Sequence, residues 1–166
     1  MDPVAVLRRE HEAIEMELSE LDFIMEGVGE GASFEQVAAV YSGRQGDINY
    51  SNLLHTFWKI CKFWDNHEKM EEEVFEIMKK EGFVVPIETI VLEHESLSKR
   101  VEEINFAISS GSDLEVRRVL AKEMREFVDI LRKHVEDEEE IFVGILVEEF
   151  SEEGMKKMKE IIGKYR

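Results

Sequence analysis

The sequence predicts an all-α fold, an antiparallel up-down four-helix bundle with an enlarged first hairpin loop and a short C-terminal helix. Three observations carry this expectation. Only 2 prolines and 10 glycines occur in 166 residues, and most fall between long periodic stretches. Apolar residues recur in steps of three and four along four segments, the period of a helix with one buried face. Most breaks between the segments are short, and short connections join antiparallel neighbours.

Each element has its own signals. Asp2 can cap a first helix with Pro3 at its first position, and that helix runs to about Gly27. The segment 27–50 is looser, with Gly27, Gly29, Gly31, Gly43 and Gly46, and has room for a short helix from about Phe34 to Tyr41. A second long helix is expected from about Ser51 to Glu81, stopped by Gly82. Pro86 opens a third, which ends before Gly111. Asp113 can cap a fourth reaching about Glu149, and Ser151 a short fifth. The expected organisation is a single domain over 1–166, with the bundle at about 3–150.

Composition narrows the function classes. The apolar fraction of 43% supports a core, while a net charge of −17 argues against nucleic acid, whose phosphates need clustered Lys and Arg. Cys61 is the single cysteine, so neither an internal disulfide nor a thiolate cluster is expected. With no signal-like N-terminus and no apolar run long enough for a bilayer, the expectation is a cytoplasmic protein without a membrane partner.

The seams locate the candidate chemistry. Helix 1 reads Val4, Leu7, His11, Ile14, Leu18, Leu21, Met25. Helix 2 reads Leu53, Phe57, Ile60, Trp64, His67, Glu71, Val74, Met78. Helix 3 reads Ile87, Ile90, His94, Leu97, Val101, Ile104, Ile108. Helix 4 reads Leu120, Met124, Phe127, Leu131, His134, Glu138, Ile141, Ile145. Every seam is apolar except at His, or at His and Glu. An internal repeat underlies this. His67 to Phe75 and His134 to Phe142 share HxxxEEE[VI]F, and Glu10-His11-Glu12 matches Glu93-His94-Glu95. Two related hairpins facing each other would bring the four histidines to one level.

A His and a Glu four apart share a helix face. With 31 glutamates in 166 residues, that spacing arises by chance at about one His in five, and its ordinary reading is a surface pair. The seam position changes the reading. Burying an ionised carboxylate without a partner costs several kcal/mol or more, and no Lys or Arg lies on the seams. A metal pair would neutralise Glu71 and Glu138; the bland alternative is a polar core layer of His–Glu hydrogen bonds. His55 lies off the seam and serves as a control, expected at the surface. Trp64 reads as core filler and Cys61 as a buried thiol. Nothing assigns a task to Tyr41 or Tyr50. The Glu-x-x-His of ferritin-like bundles is absent. Imidazole and carboxylate without thiolate favour iron or manganese over structural zinc. Six ligands suit two ions bridged by Glu71 and Glu138, with positions left for a small molecule.

The motif order resembles the hemerythrin-like, or HHE cation-binding, family: His11, then His67 with Glu71, then His94, then His134 with Glu138. The resemblance implies a non-haem di-iron site that binds or reacts with dioxygen. Two iron ions with an oxo or hydroxo bridge are implied, manganese or zinc being substitutes. The oxygen carriers have HxxxH on helix 3, where this chain has Ser98, and place the helix 4 carboxylate where Glu139 stands. The chain is in this respect similar to the iron-sensing domain of a ubiquitin-ligase subunit, in which the Glu after the helix 2 His also ligates. Glu68 occupies that place and is the first reserve ligand, with Glu15 also open. The expected function is binding or sensing of dioxygen or a related diatomic. The alternatives are a di-iron oxidoreductase acting on peroxide, oxygen or nitric oxide, and an iron-sensing or iron-handling module with a protein partner or homodimer contact.

Overall fold

A computed structural model of the chain describes residues 1–28, 48–110 and 119–166. Its helices are α1 (Pro3–Val28), α2 (Ile48–Lys80), α3 (Ile87–Ser110), α4 (Met124–Val143) and α5 (Glu152–Tyr165). A π-helical turn, Val119–Glu123, leads into α4, and a 3-10 turn, Val147–Glu149, lies between α4 and α5. The fold is the all-α bundle that the periodicity predicts. The expected helix at 34–41, Tyr41, the Asp113 cap and the side chains of Tyr50 and Leu120 lie outside the described residues.

Helix ends follow local chemistry. The Asp2 carboxylate accepts from the Val4 and Ala5 amides at 2.9 and 3.3 Å, filling donors that the first turn of α1 leaves free. Gly82, at φ +98°, stops α2 in a Schellman motif, in which its own N–H donates to Lys79 O and that of Phe83 to Met78 O. The Ser151 hydroxyl accepts from Gly154 N and caps α5. Glu81, just past α2, accepts from both the amide and the hydroxyl of Ser151 at 2.7 and 2.8 Å. A Cβ on Gly154 would stand 2.4 Å from the Glu81 carboxylate, so this glycine makes room for the clamp that ties α5 to α2.

Cross-helix pairs fix the topology. Along α2, Lys59 meets Glu17 and His67 meets Glu10 of α1. Along α3, Glu88 meets Lys79 and Ser98 meets Glu68 of α2. Glu126 and His134 of α4 meet Arg100 and Glu93 of α3, while Arg132 and Glu139 meet Asp22 and His11 of α1. Rising numbers on one helix always meet falling numbers on its neighbour, so α1 to α4 form a closed antiparallel ring.

Two expectations about α4 are corrected. The helix ends at Val143, with Gly144 as C-cap, rather than running to Glu149. After Glu138 the buried seam takes a step of four to Phe142, while Ile141 is only half-buried. The core itself is split in two. One apolar cluster holds Ile14, Leu18, Phe57, Trp64, Leu97, Phe127 and Leu131. The other holds Leu7, Val74, Phe75, Ile90 and Phe142, and Met158 and Ile162 of α5 cover it. Between them lies the polar layer.

Candidate metal centre

The four seams bring His11, His67, Glu71, His94, His134 and Glu138 together, each no more than 3% exposed. His55, the control, is exposed on α2. The six form two overlapping groups whose ligand-type atoms lie within 4.8 Å of one another. One comprises His11, His67, Glu71 and Glu138; the other comprises His94, His134, Glu71 and Glu138. Each histidine thus belongs to one group and both carboxylates to both. The hairpin of α1 and α2 supplies one histidine pair, with ring centroids 4.8 Å apart, and that of α3 and α4 the other, at 4.9 Å.

The Nε2 atoms face inward. His11 Nε2 stands 3.4 Å from Glu71 Oε1 and 3.3 Å from Glu138 Oε2. His94 Nε2 is 3.5 Å from Glu71 Oε2 and 3.4 Å from Glu138 Oε1. His67 Nε2 is 3.5 Å from Glu71, and His134 Nε2 2.8 Å from Glu138. Despite this proximity, all four carboxylate oxygens, with His94 Nε2 and His134 Nε2, have no hydrogen-bond partner among the described residues. Buried polar atoms are nearly always paired, and leaving an ionised carboxylate unpaired costs several kcal/mol. His11 Nε2 and His67 Nε2 pair with each other at 3.0 Å. Ligand-type atoms within 4.8 Å of one another, most of them without a hydrogen-bond partner among the described residues, fit a bound cation.

The Nδ1 atoms face outward, each onto a carboxylate of a neighbouring helix. Glu10 of α1 accepts from His67 at 2.8 Å, and Glu72 of α2 accepts from His94 at 2.7 Å. Glu93 of α3 accepts from His134 at 2.5 Å, and Glu139 of α4 accepts from His11 at 2.7 Å. The donations close a ring: each helix orients the histidine of the next. A proton fixed on Nδ1 leaves the Nε2 lone pair for the centre and makes it a better donor to metal. Sequence reasoning missed these four roles, although their signal was present. Glu10 and Glu93 directly precede seam histidines, and Glu72 and Glu139 directly follow seam glutamates, all inside the internal repeat. Clefts of about 320, 450 and 650 Å³ reach His134, His67 and His11, each also lined by that histidine's outer carboxylate.

Titration reflects the packing. Burial would lower the His11 pKa, but the Glu138 and Glu71 carboxylates overcome it and push it up to about 11. The same balance carries His94 up to about 10. Burial would raise Glu71, yet the charge of His67 and the nearby imidazoles of His11 and His94 hold it well below the carboxylate range. Glu138 is lowered too, since His11, His134 and His94 outweigh burial and the Glu71 charge. Without metal, these directions favour charged imidazoles facing charged carboxylates, and a metal must displace the imidazole protons.

The reserve ligands are engaged elsewhere. Glu68 accepts from the Ser98 hydroxyl at 3.0 and 3.3 Å and belongs to neither four-residue group. Burial raises its pKa. Glu15 takes both oxygens to Arg132 Nε at 3.1 and 3.0 Å. Aromatic rings close the layer: Phe142 stacks on His11 at 5.6 Å, and Trp64 lies 5.3–5.5 Å from His67, His94 and His134.

Fold and site together define a helical bundle with buried His/Glu groups suited to metal ions. The family model described as "Hemerythrin HHE cation binding domain" matches residues 2–146, and the chain belongs to that family. Its members bind metal cations. No curated protein and no solved structure gives a significant match. Among the described residues, no helix is long and apolar enough to cross a membrane.

Proposed function

We propose that this chain is a non-haem di-iron protein that binds or senses dioxygen or a related diatomic. The supporting observation is the pair of overlapping His2Glu2 groups with shared, hydrogen-bond-orphaned carboxylates. In this reading His11 and His67 would hold one iron, His94 and His134 the other, and Glu71 and Glu138 would be shared between them. The donor set is hard oxygen and imidazole nitrogen without thiolate, which suits iron. Two ferrous ions would supply the electron pair that a reversible dioxygen ligand needs. The chain's own residues do the rest. The outer glutamates orient the rings, while Trp64, Phe142, Ile14, Leu97 and Leu131, all buried, keep bulk water away. Two histidines per ion leave positions for a small ligand.

Protein purified without added metal should carry close to two irons per chain. After anaerobic ferrous loading, admission of air should produce a ligand-to-metal charge-transfer band that reverses on deoxygenation. Less than about one metal per chain, with His67→Ala no different, would remove the metal assignment. Full loading without a reversible band would remove the oxygen reading and keep the metal.

A further inference from the structure

Trp64 carries a group that the di-iron reading leaves unused. The side chain is 2% exposed, and among the described residues its Nε1–H has no hydrogen-bond acceptor. Buried tryptophan N–H groups usually find a partner, because an orphaned donor retains its full desolvation cost. The surroundings explain the lack. The ring lies 5.3 Å from His94 and 5.5 Å from His67 and His134. Those imidazoles have their Nδ1 atoms engaged by outer glutamates and their Nε2 atoms directed to Glu71 and Glu138. Trp64 also belongs to the buried apolar cluster that holds Phe57, Ile60, Leu97 and Leu131. The described residues offer this donor no acceptor, although the ring that carries it packs, centroid to centroid, 5.3–5.5 Å from three candidate ligands.

We propose that the Trp64 indole N–H is the hydrogen-bond donor for a small anionic or oxygen-terminated ligand held beside the histidines. This inference rests on the metal reading of the site. The apolar wall around Trp64 would make one such bond count. In a dry site, a hydrogen bond to a charged acceptor is worth about tenfold or more in affinity. The chemical class follows from the donor. A ligand with a lone pair at its free end, such as azide or dioxygen, can use the N–H; one without cannot. Trp64 is then a positioning residue that selects among ligands, distinct from the six metal-holding side chains.

Azide is the probe. The iron-loaded ferric protein is titrated with azide by absorption, and the azide stretch is recorded in H2O and D2O. The expected result is an isotope shift in the unsubstituted protein. Trp64→Phe should retain its iron but bind azide about tenfold or more weakly, with the shift lost. A second measurement needs no change at Trp64. In Trp58→Phe, which removes the exposed tryptophan, the ultraviolet Raman marker of the indole N–H should move when azide is added. Equal azide affinity and isotope shift in Trp64→Phe, or an indole marker that azide leaves unmoved, overturns the proposal, including the case of an indole bonded only to water. Absence of iron from the unsubstituted protein would overturn the metal reading and this inference with it. Normal iron with azide indifferent to Trp64 overturns this inference alone.

Discussion

In the proposed centre, shared and unshared ligands must differ in what their loss does. Glu138 belongs to both four-residue groups, whereas His134 belongs to one. Glu138→Gln keeps the size of a side chain that is 1% exposed, so packing is preserved while the bridging charge is removed. His134→Ala removes one donor from one group and leaves His11, His67, Glu71 and Glu138 complete. A ligand present at about a thousand times its dissociation constant stabilises the native state by about 4 kcal/mol. In a chain of 166 residues that corresponds to about 8–16 °C in Tm. Elemental analysis and thermal unfolding, each with and without chelator, measure both quantities. Glu138→Gln should lose both ions, and its Tm should no longer respond to chelator. His134→Ala should keep one ion and roughly half the response. Equal metal content in the two variants, or two ions retained in Glu138→Gln, would refute the shared-carboxylate argument.

The outer ring and the metal-free cluster give further tests. Glu139→Gln keeps an acceptor for His11 Nδ1 but removes the charge that holds the ring; metal affinity, by competition with a chromophoric chelator, should fall about 10–100-fold without loss of fold. Glu12→Gln, one residue beyond His11 and outside the ring, should leave affinity unchanged. The metal-free protein should show a specific pH dependence. His11 and His94 have folded pKa values raised to about 11 and 10 from 6.5, so their contribution is full below 6.5 and lost as pH rises through those values. Urea unfolding of chelated protein should therefore show falling stability from pH 7 to 10.5. Glu71 and Glu138 are lowered, so their contribution is present above 4.5 and lost on acidification. Metal affinity should rise with pH from 5 to about 10, because metal displaces the protons that His11 and His94 hold up to that range.

Much of this architecture was legible before any coordinates. A helical period with one apolar face can be read from sequence because burial acts on every third or fourth residue. The His and Glu interruptions were conspicuous because a charge on a seam has no inexpensive explanation. The choice of Glu138 over Glu139 followed from the same period, and the structure places Glu138 in the layer and Glu139 on His11 Nδ1. The departure at Phe142 arose where α4 approaches its end at Gly144 and the seam steps by four, a choice the apolar pair Ile141-Phe142 leaves open in sequence.

The sequence by itself determined the four long helical segments, the ends at Asp2, Gly82 and Ser151, most of each seam and the set of residues in the polar layer, since each depends on neighbours within a few turns. Only the tertiary structure decided which atoms meet. That two carboxylates are shared while each histidine is not depends on how the two hairpins face each other. The ring in which Glu10, Glu72, Glu93 and Glu139 each hold the next helix's imidazole spans contacts 22 to 128 residues apart. A glutamate beside a seam looks like any solvated surface charge until the neighbouring helix is in place, and the Trp64 indole looks like plain core filler until its N–H is found without an acceptor among the described residues.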